Sequence, residues 1–91
     1  PNNFQIIDAD DQLRLVKRLI RERGWDEQDC DPKRALSFIN RQKDEGKRAG
    51  NIVSSTIYEV SLFIELYRLY EQHCQRAAIV DFAEILLRAY E

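Results

Sequence analysis

Lysine and arginine side chains recur at helical spacing in the first half of the sequence, where they could contact phosphate groups. Residues 12–50 contain eleven Lys or Arg against seven Asp or Glu, whereas residues 1–11 and 51–91 each carry three more acids than bases. The net charge of the whole chain is only −2. Long-range attraction of a polyanion is therefore weak, and any phosphate contact must be local.

The first candidate group of cations is a stripe on a predicted helix. At 100° per residue, positions i, i+3, i+4 and i+7 share one arc, and here that arc lies opposite the apolar residues. Such a stripe could follow a phosphate backbone, but a basic arc is also the ordinary solvated face of a helix, so both interpretations stay open. We call it the first basic stripe, and it consists of Arg14, Lys17, Arg18 and Arg21.

A second candidate group lies at the end of the next predicted helix and in the loop that follows it. The apolar pattern of that helix fades after Gln42 into the segment KDEGKR, which predicts an exposed tail. Gly46 and Gly50 predict a loop over residues 46–51. The cations of this second basic cluster are Arg41, Lys43, Lys47 and Arg48.

The sequence contains no residue pattern that predicts an independent catalytic, cofactor-binding or metal-binding site. It has no Gly-rich phosphate loop, no Ser, His and Asp set for a triad, and no carboxylate pair isolated among apolar residues. His73 and Cys74 are neighbours, and neighbours on a helix do not face one site. Cys30 and Cys74 have no close Cys or His spacing, so we expect free thiols in a reducing compartment. Contact with nucleic acid and contact with protein remain as functional classes.

The periodicity of apolar residues predicts an all-α fold. With 91 residues and 10.8 kDa, the chain has the size of one domain, so residues 1–91 are expected to form a single subdomain resembling a small four-helix orthogonal bundle. A short extended segment over residues 4–7 should precede the first helix. The first predicted helix begins at Asp8 and ends near Gly24, and the second begins at Asp31-Pro32 and fades after Gln42. The third covers residues of about 54–77, and the fourth begins at Asp81.

The third predicted helix is apolar over more than one face, which indicates that it is central or meets another protein surface. Its tyrosines, Tyr58, Tyr67 and Tyr70, could stack on bases, but core packing with hydroxyl groups in water is favoured. A helical protein-interaction module that docks a partner or a neighbouring subdomain through this helix is therefore the alternative to DNA contact.

The fourth predicted helix starts with a capping box and stops without a cap. Asp81 and Glu84 have the spacing in which the Glu side chain reaches back to free amides, and Glu84 can also pair with Arg88. The abrupt end and the lack of any methionine suggest a fragment of a longer chain. No apolar run approaches a membrane span or a signal core, so we expect a cytoplasmic protein without membrane contact.

Three segments together resemble a known family. In order and spacing, NFQIID with DQL (residues 3–13), INRQKDE (39–45) and VDFAEILLR (80–88) are similar to the accessory 1B subdomain of UvrD/Rep/PcrA-type superfamily 1 DNA helicases, most of all to the UvrD branch. The resemblance covers essentially the whole chain. Each segment alone would be a weak signal, and their ordered combination makes the match specific.

The resemblance implies a parent enzyme that uses ATP and Mg²⁺ to translocate 3′ to 5′ on single-stranded DNA and to unwind duplexes in DNA repair. The 1B unit of such helicases is an α-helical insertion in subdomain 1A, and it stands beside 2B near the junction of single and double strands. The ATP-binding loop, the Mg²⁺ carboxylates and the arginine fingers lie elsewhere in the parent. Residues 81–87 match the segment that re-enters 1A.

When the family's functional residues are matched onto this sequence, the resemblance implies few contacts to DNA or to a neighbouring subdomain. Lys43 matches the lysine of the family pattern I-[SN]-x-x-K-[ND], and with Asn40 and Arg41 it is a candidate contact to DNA or to a neighbouring subdomain. Alternatively, the Lys43 stem packs on the helix while its amine reaches water. Some relatives carry lysines after the first helix, whereas residues 26–31 are acidic here, so that link is not expected to contact phosphate. The expected role is backbone contact that guides DNA at the junction without reading bases.

Overall fold

The computed structural model describes residues 3–91 and confirms a small, mostly helical fold. Its principal extents are 37 × 24 × 19 Å. Helices α1, α2 and α3 pack against one another, and α4 packs against α2. The elements, in chain order, are β1 (Gln5–Ile6), α1 (Ala9–Glu22), α2 (Pro32–Asp44), a 3₁₀ turn (Ala49–Asn51), α3 (Tyr58–Ala77), β2 (Ile79–Val80) and α4 (Phe82–Tyr90).

Aspartate side chains cap three of the helices, as predicted. The carboxylates of Asp8, Asp31 and Asp81 accept hydrogen bonds from the amides three residues later, at 2.9, 2.9 and 2.6 Å respectively. Each bond satisfies an amide that has no partner within its own helix. After α1, Gly24 adopts a φ of +76°, a left-handed conformation that an L side chain would strain.

Helix α3 begins later than the predicted residue 54. Its first residue is Tyr58, and its N-cap residue, Ile57, provides no side-chain bond to the helix. The Ser55 hydroxyl accepts a hydrogen bond from the Ile57 amide at 3.1 Å. Serine side chains offer the backbone such local alternatives to helix, and this competition explains the shorter helix.

The segments before α1 and before α4 pair as two short parallel strands. Gln5 lies opposite Ile79, and Ile6 lies opposite Val80. The extended segment was predicted, but its pairing was not, because two-residue strands 74 positions apart leave no local pattern in the sequence. The pairing places the start of the described chain beside the start of α4.

Helix α3 lies at the centre of the core, which confirms one of the two roles predicted for it. The side chains of Leu66, Tyr67 and Tyr70 are fully buried, and burying an apolar side chain of this size contributes about 1.5–3 kcal/mol. The prediction of solvated tyrosine hydroxyls was wrong for this pair. The Tyr67 hydroxyl donates to the Lys47 carbonyl at 2.7 Å, and the Tyr70 hydroxyl donates to Asp81 at 2.6 Å. Tyr58, in contrast, is 63% exposed and lies outside the core.

Helix α1 buries a polar residue among its apolar ones. The sequence predicts an apolar arc of Leu13, Leu15, Val16, Leu19 and Ile20 opposite the first basic stripe. The last four are buried, but the remaining buried position of the helix is Gln12 rather than Leu13, which is only partly buried.

Across residues 3–91, none of the helices has the length and apolar character needed to cross a membrane.

Candidate nucleic-acid interface and a buried polar cluster

The first basic stripe lies in solvent along one wall of a surface groove. Its four cations are exposed on α1 because the opposite arc of the helix is buried in the core. The groove has a volume of about 500 Å³ and is also lined by Gln5 and Ile7 near β1, by His73 of α3 and by Ile79 of β2. The stripe is therefore accessible from solvent along the groove.

The cations of the stripe differ in their local partners. Arg14 pairs with Asp11 one turn earlier. Arg18 lies 3.0 Å from His73 Nε2 and 3.8 Å from a carboxylate oxygen of Glu22. Burial, together with the neighbouring Arg18 charge, lowers the pKa of His73, which favours the neutral ring. Within the described residues, the side chains of Lys17 and Arg21 make no hydrogen bond or ion pair, so their charges are available to an external anion.

The second basic cluster does not form one surface, and the prediction of an exposed Lys43 was wrong. The side chain of Lys43 is only 2% exposed. Its ammonium lies 3.1 Å from Asp81 and 3.2 Å from Glu84, and it stands 5.2 Å from the centroid of the Tyr70 ring. Because the amine is enclosed, it has no access to DNA. Its buried charge is balanced by the two protein carboxylates.

Two other members of the predicted contact set are also engaged within the protein. Arg48 is partly buried and donates hydrogen bonds to Glu84 at 2.8 Å and to Glu91 at 2.7 Å. Asn40 is partly buried and accepts a hydrogen bond from Gln12 Nε2 at 3.1 Å. Arg41 and Lys47 remain exposed, and Lys47 lies 3.4 Å from Glu45. The exposed cations of this cluster are thus reduced to two.

Asp81 is the centre of a buried polar cluster that joins all four helices. Its carboxylate accepts hydrogen bonds from Gln12 of α1 at 3.1 Å, from Lys43 of α2 at 3.1 Å and from Tyr70 of α3 at 2.6 Å. It also caps α4 through the Glu84 amide. Asp81 is 1% exposed, and no buried side-chain polar atom in the described part of the chain lacks a partner. The cluster is thus fully satisfied, the condition under which buried polar groups stabilise a unique packing.

Glu84 extends this cluster to the loop after α2. Its carboxylate accepts from Arg48 and Arg88, each at 2.8 Å, and pairs with Lys43. The predicted Glu84–Arg88 pair is confirmed. The predicted return of the Glu84 side chain to the start of α4 is wrong, since its oxygens are committed to these cations. The capping box is therefore only half formed. The Asp81 side chain accepts from the Glu84 amide, but the Glu84 side chain does not accept from an amide at the start of α4.

The ionisation of the two carboxylates follows from these partners. Burial alone would raise the pKa of Asp81, but the Lys43 ammonium and the Tyr70 hydroxyl hold it below its ordinary value. Burial also opposes the Glu84 charge, but Arg88, Lys43 and Arg48 hold the pKa of Glu84 below its ordinary value. Burial and the Asp81 charge raise the pKa of Tyr70, which keeps its hydroxyl protonated as a donor.

Gln12 and Tyr70 are the members of this cluster that sequence reasoning missed. A signal for Gln12 was present, because it lies three and four residues before the core residues Leu15 and Val16. A polar residue in register with an apolar arc predicts a buried hydrogen-bond partner. Its partners in α3 and α4 are 58 and 69 positions away, and no local pattern identifies them.

Cys30 and Cys74 are free thiols, as predicted, and both are buried. Burial raises the pKa of Cys30 and of Cys74 to about 11 in each case. Both therefore stay protonated near neutral pH and act as small apolar residues. In the 89 residues from 3 to 91, no group of three or more His, Cys, Asp and Glu side chains is placed to hold a metal ion.

Helix α4 carries an exposed apolar face, whereas most of α3 is covered. Phe82, Leu86 and Tyr90 are 67%, 64% and 79% exposed, and they follow one another at four-residue spacing. Phe4, 40% exposed, lies beside this helix with its ring 4.9 Å from the Arg88 guanidinium. Helix α4 therefore presents an exposed apolar face that was not predicted from the sequence.

Comparison with known proteins gives the family of the chain. The family model described as the UvrD/REP helicase N-terminal domain matches residues 1–91. Over 91 residues and all of this chain, the identity is 47% to DNA helicase II of Escherichia coli and 45% to DNA helicase II of Haemophilus influenzae. It is 32% over 92 residues to the ATP-dependent DNA helicase PcrA of Leuconostoc citreum, covering 93% of this chain. The chain spans only 12–13% of the length of these relatives. It belongs to the UvrD/REP helicase family.

Proposed function

We propose that the chain is the accessory 1B subdomain of an ATP-dependent DNA helicase and that it guides DNA at the junction of single and double strands. The observation that carries this proposal is the first basic stripe, which lies in solvent on the wall of an open groove, where Lys17 and Arg21 have no side-chain partner among residues 3–91. Cations placed in this way can neutralise successive phosphates without reading base sequence. The names of the relatives as DNA helicases support DNA as the ligand.

The catalytic cycle is assigned to other parts of the parent protein. ATP and Mg²⁺ would bind outside these 91 residues, in the motor subdomains, and would drive 3′ to 5′ movement along single-stranded DNA in repair in the cytoplasm. The buried cluster around Asp81 would contribute by holding α1, α2 and α3 at a constant orientation to α4. Phosphate contacts on α1 would then move with α4 as one rigid unit.

The direct test is charge reversal of the first basic stripe in the parent helicase. Replacement of Arg14, Lys17, Arg18 and Arg21 by Glu should weaken fork binding and unwinding while ATP hydrolysis on short single strands is largely kept. A matched control exchanges Lys and Arg at the same four positions, so that charge and approximate size are preserved. Unwinding that is unchanged by the reversal would reject the role of the stripe.

The two exposed members of the second basic cluster, Arg41 and Lys47, are tested by a variant with two substitutions. Arg41→Glu with Lys47→Glu tests whether the two exposed cations add to DNA binding. Lys43 and Arg48 are left intact because their replacement would disturb the ion pairs around Glu84. Fork binding that is weakened by this pair of changes would extend the DNA path from α1 to the end of α2.

A second candidate role, docking of a neighbouring subdomain, is favoured by the exposed apolar face of α4. Phe82, Leu86 and Tyr90 would be covered by subdomain 1A, and part of the surface would approach 2B. Leu86→Asp should then loosen the parent structure and speed its limited proteolysis, while the thermal unfolding of the 91-residue chain alone changes little. Unchanged proteolysis of the parent, together with a lower unfolding temperature of the 91-residue chain, would show that the face does not dock.

A further inference from the structure

The groove between α2 and the first half of α3 differs in character from the groove of the first basic stripe. It has a volume of about 400 Å³. Phe38, Val60 and Phe63 form its apolar floor, and Lys33, Arg34 and Arg41 line it on the α2 side. The cations are exposed, whereas Phe38 and Val60 are half-buried and Phe63 is almost fully buried. The groove thus combines an apolar depression with a cationic edge.

The charges along this groove are available at its two ends. Within residues 3–91, the side chains of Lys33 and Arg41 make no hydrogen bond or ion pair. Arg34, between them in the sequence, is held by Glu59 at 2.5 Å. Eight residues along an α-helix span about 12 Å, so the two free cations flank the apolar floor at that separation.

The composition of the groove favours a peptide over a nucleic-acid strand. The Phe63 ring is 4% exposed and tilts against Phe38 at a centroid distance of 5.6 Å, so it offers no free face for a base to stack on. The Glu59 carboxylate also lines the groove, where it pairs with Arg34. An apolar side chain can fill the depression, and flanking carboxylates can meet Lys33 and Arg41.

We propose that this groove binds a short extended segment of a partner protein with the pattern acidic–x–apolar–x–acidic. An extended chain rises about 3.3 Å per residue, so acidic residues four positions apart lie about 13 Å from each other, which matches the separation of the two cations. The bulky apolar side chain in the middle faces the floor. Charge complementarity with Lys33 and Arg41 sets the orientation and register of the segment.

This proposal goes beyond the DNA-contact function and can fail without it. Arg41 is shared with the second basic cluster, so the critical variants are placed at Lys33 and Val60, outside the predicted DNA set. Lys17→Glu provides the matched control, because Lys17 is an exposed cation on α1 that lines the other groove.

The test uses the full-length parent helicase and a fluorescein-labelled peptide of about a dozen residues that contains Glu-Ser-Leu-Ser-Glu. Fluorescence anisotropy should detect saturable binding that weakens at least tenfold in Lys33→Glu and in Val60→Asp and changes less than twofold in Lys17→Glu. Peptides with Ser in place of Leu, or with Gln in place of both Glu, should bind at least tenfold more weakly. Because Lys33 is exposed, its variant reports on binding even if Val60→Asp disturbs folding.

Several results would overturn the proposal. Absence of saturable binding would do so, as would equal binding of the Ser-substituted peptide, since the apolar floor would then play no part. Loss of single-stranded oligonucleotide binding in Lys33→Glu, together with displacement of the peptide by that oligonucleotide, would assign the groove to DNA. In contrast, weakened fork binding in Lys17→Glu with unchanged peptide binding would support DNA contact by the first basic stripe and peptide binding by this groove as separate functions.

Discussion

The cations of α1 and those at and after the end of α2 were both candidates for phosphate contact, but their surroundings in the fold are opposite. Lys17 and Arg21 extend into solvent beside an open groove, whereas Lys43 and Arg48 are held by Asp81, Glu84 and Glu91. Clustering of basic residues in the sequence therefore does not distinguish a solvent-exposed cation from a structural one. The distinction depends on whether carboxylates from distant parts of the chain approach the cation during folding.

This comparison predicts that changes in the buried cluster cost stability, whereas changes in the stripe cost DNA affinity. The two effects are separable because the cluster is almost inaccessible and the stripe is exposed. The following variants test the difference, starting with the largest expected effect.

Asp81→Ala should be the most destabilising single change. It removes the cap of α4 and leaves Lys43, Tyr70 and Gln12 without their shared acceptor. Breaking a buried ion pair by removing one partner costs about 3–5 kcal/mol. Urea unfolding of the chain followed by circular dichroism measures this loss. Lys17→Ala is the control and should stay within about 0.5 kcal/mol of the unaltered chain. A loss below 1 kcal/mol for Asp81→Ala would contradict the central role of the cluster.

Acid should weaken the fold through the same carboxylates. The folded-state pKa values of Asp81 and Glu84 lie below their ordinary values of 3.8 and 4.5. Carboxyls of this kind contribute stability that is present above the unfolded pKa and is lost as the pH falls through the folded pKa. We expect the free energy of unfolding to decrease progressively below about pH 5. Urea titrations between pH 7 and 3 measure this trend, and a flat profile would show that the two groups do not titrate as described.

Arg48→Ala should have an intermediate effect on stability. It removes the link from Glu84 to Glu91, but Glu84 retains Lys43 and Arg88. A hydrogen bond to a charged group is worth about 1.5–3 kcal/mol, and because Arg48 is partly exposed we expect a loss of about 1 kcal/mol. Arg41→Ala is a control from the same cluster, since Arg41 is exposed, and it should be nearly neutral. Equal thermal shifts in the two variants would remove the distinction between them.

Lys17→Glu with Arg21→Glu should leave stability almost unchanged and should alter DNA binding by the parent. Each phosphate contact with single-stranded DNA contributes about 0.7 to the slope of log affinity against log salt. If each cation neutralises one phosphate, the magnitude of the slope should fall by about 1.4. Fluorescence anisotropy with a forked oligonucleotide at several salt concentrations measures the slope. The charge-preserving exchange of Lys17→Arg with Arg21→Lys should keep it, and an unaltered slope in the Glu variant would exclude these residues from the DNA path.

The helices were largely predictable because their determinants are local. Asp8, Asp31 and Asp81 mark helix starts through bonds that span only three residues. The late start of α3 was missed because the Ser55 hydroxyl offers the backbone a competing turn whose outcome depends on surrounding packing. The parallel strands were missed because each has two residues and its partner lies far along the chain.

The candidate site was predictable only in part. Exposure of the first basic stripe follows from the opposing apolar arc of α1, whose residues Leu15 and Leu19 must be buried. The buried state of Lys43 depends on Asp81, 38 residues away, and on Glu84 beyond it. The same dependence on distant partners hid the exposed face of α4, because most apolar residues of α3 are covered by other helices while Phe82, Leu86 and Tyr90 of α4 are left exposed.

The amino-acid sequence by itself determined the four helices, their capping residues, the amphipathic division of α1 and the family resemblance. These properties rest on side chains that act within one or two helical turns or on motifs in a set order. Only the tertiary structure decided that Lys43 and Arg48 are internal partners of carboxylates, and that α4 presents an exposed apolar face. The physical reason is that a charge can be buried only where opposite charges and hydrogen-bond partners converge, and this convergence requires all four helices to be packed.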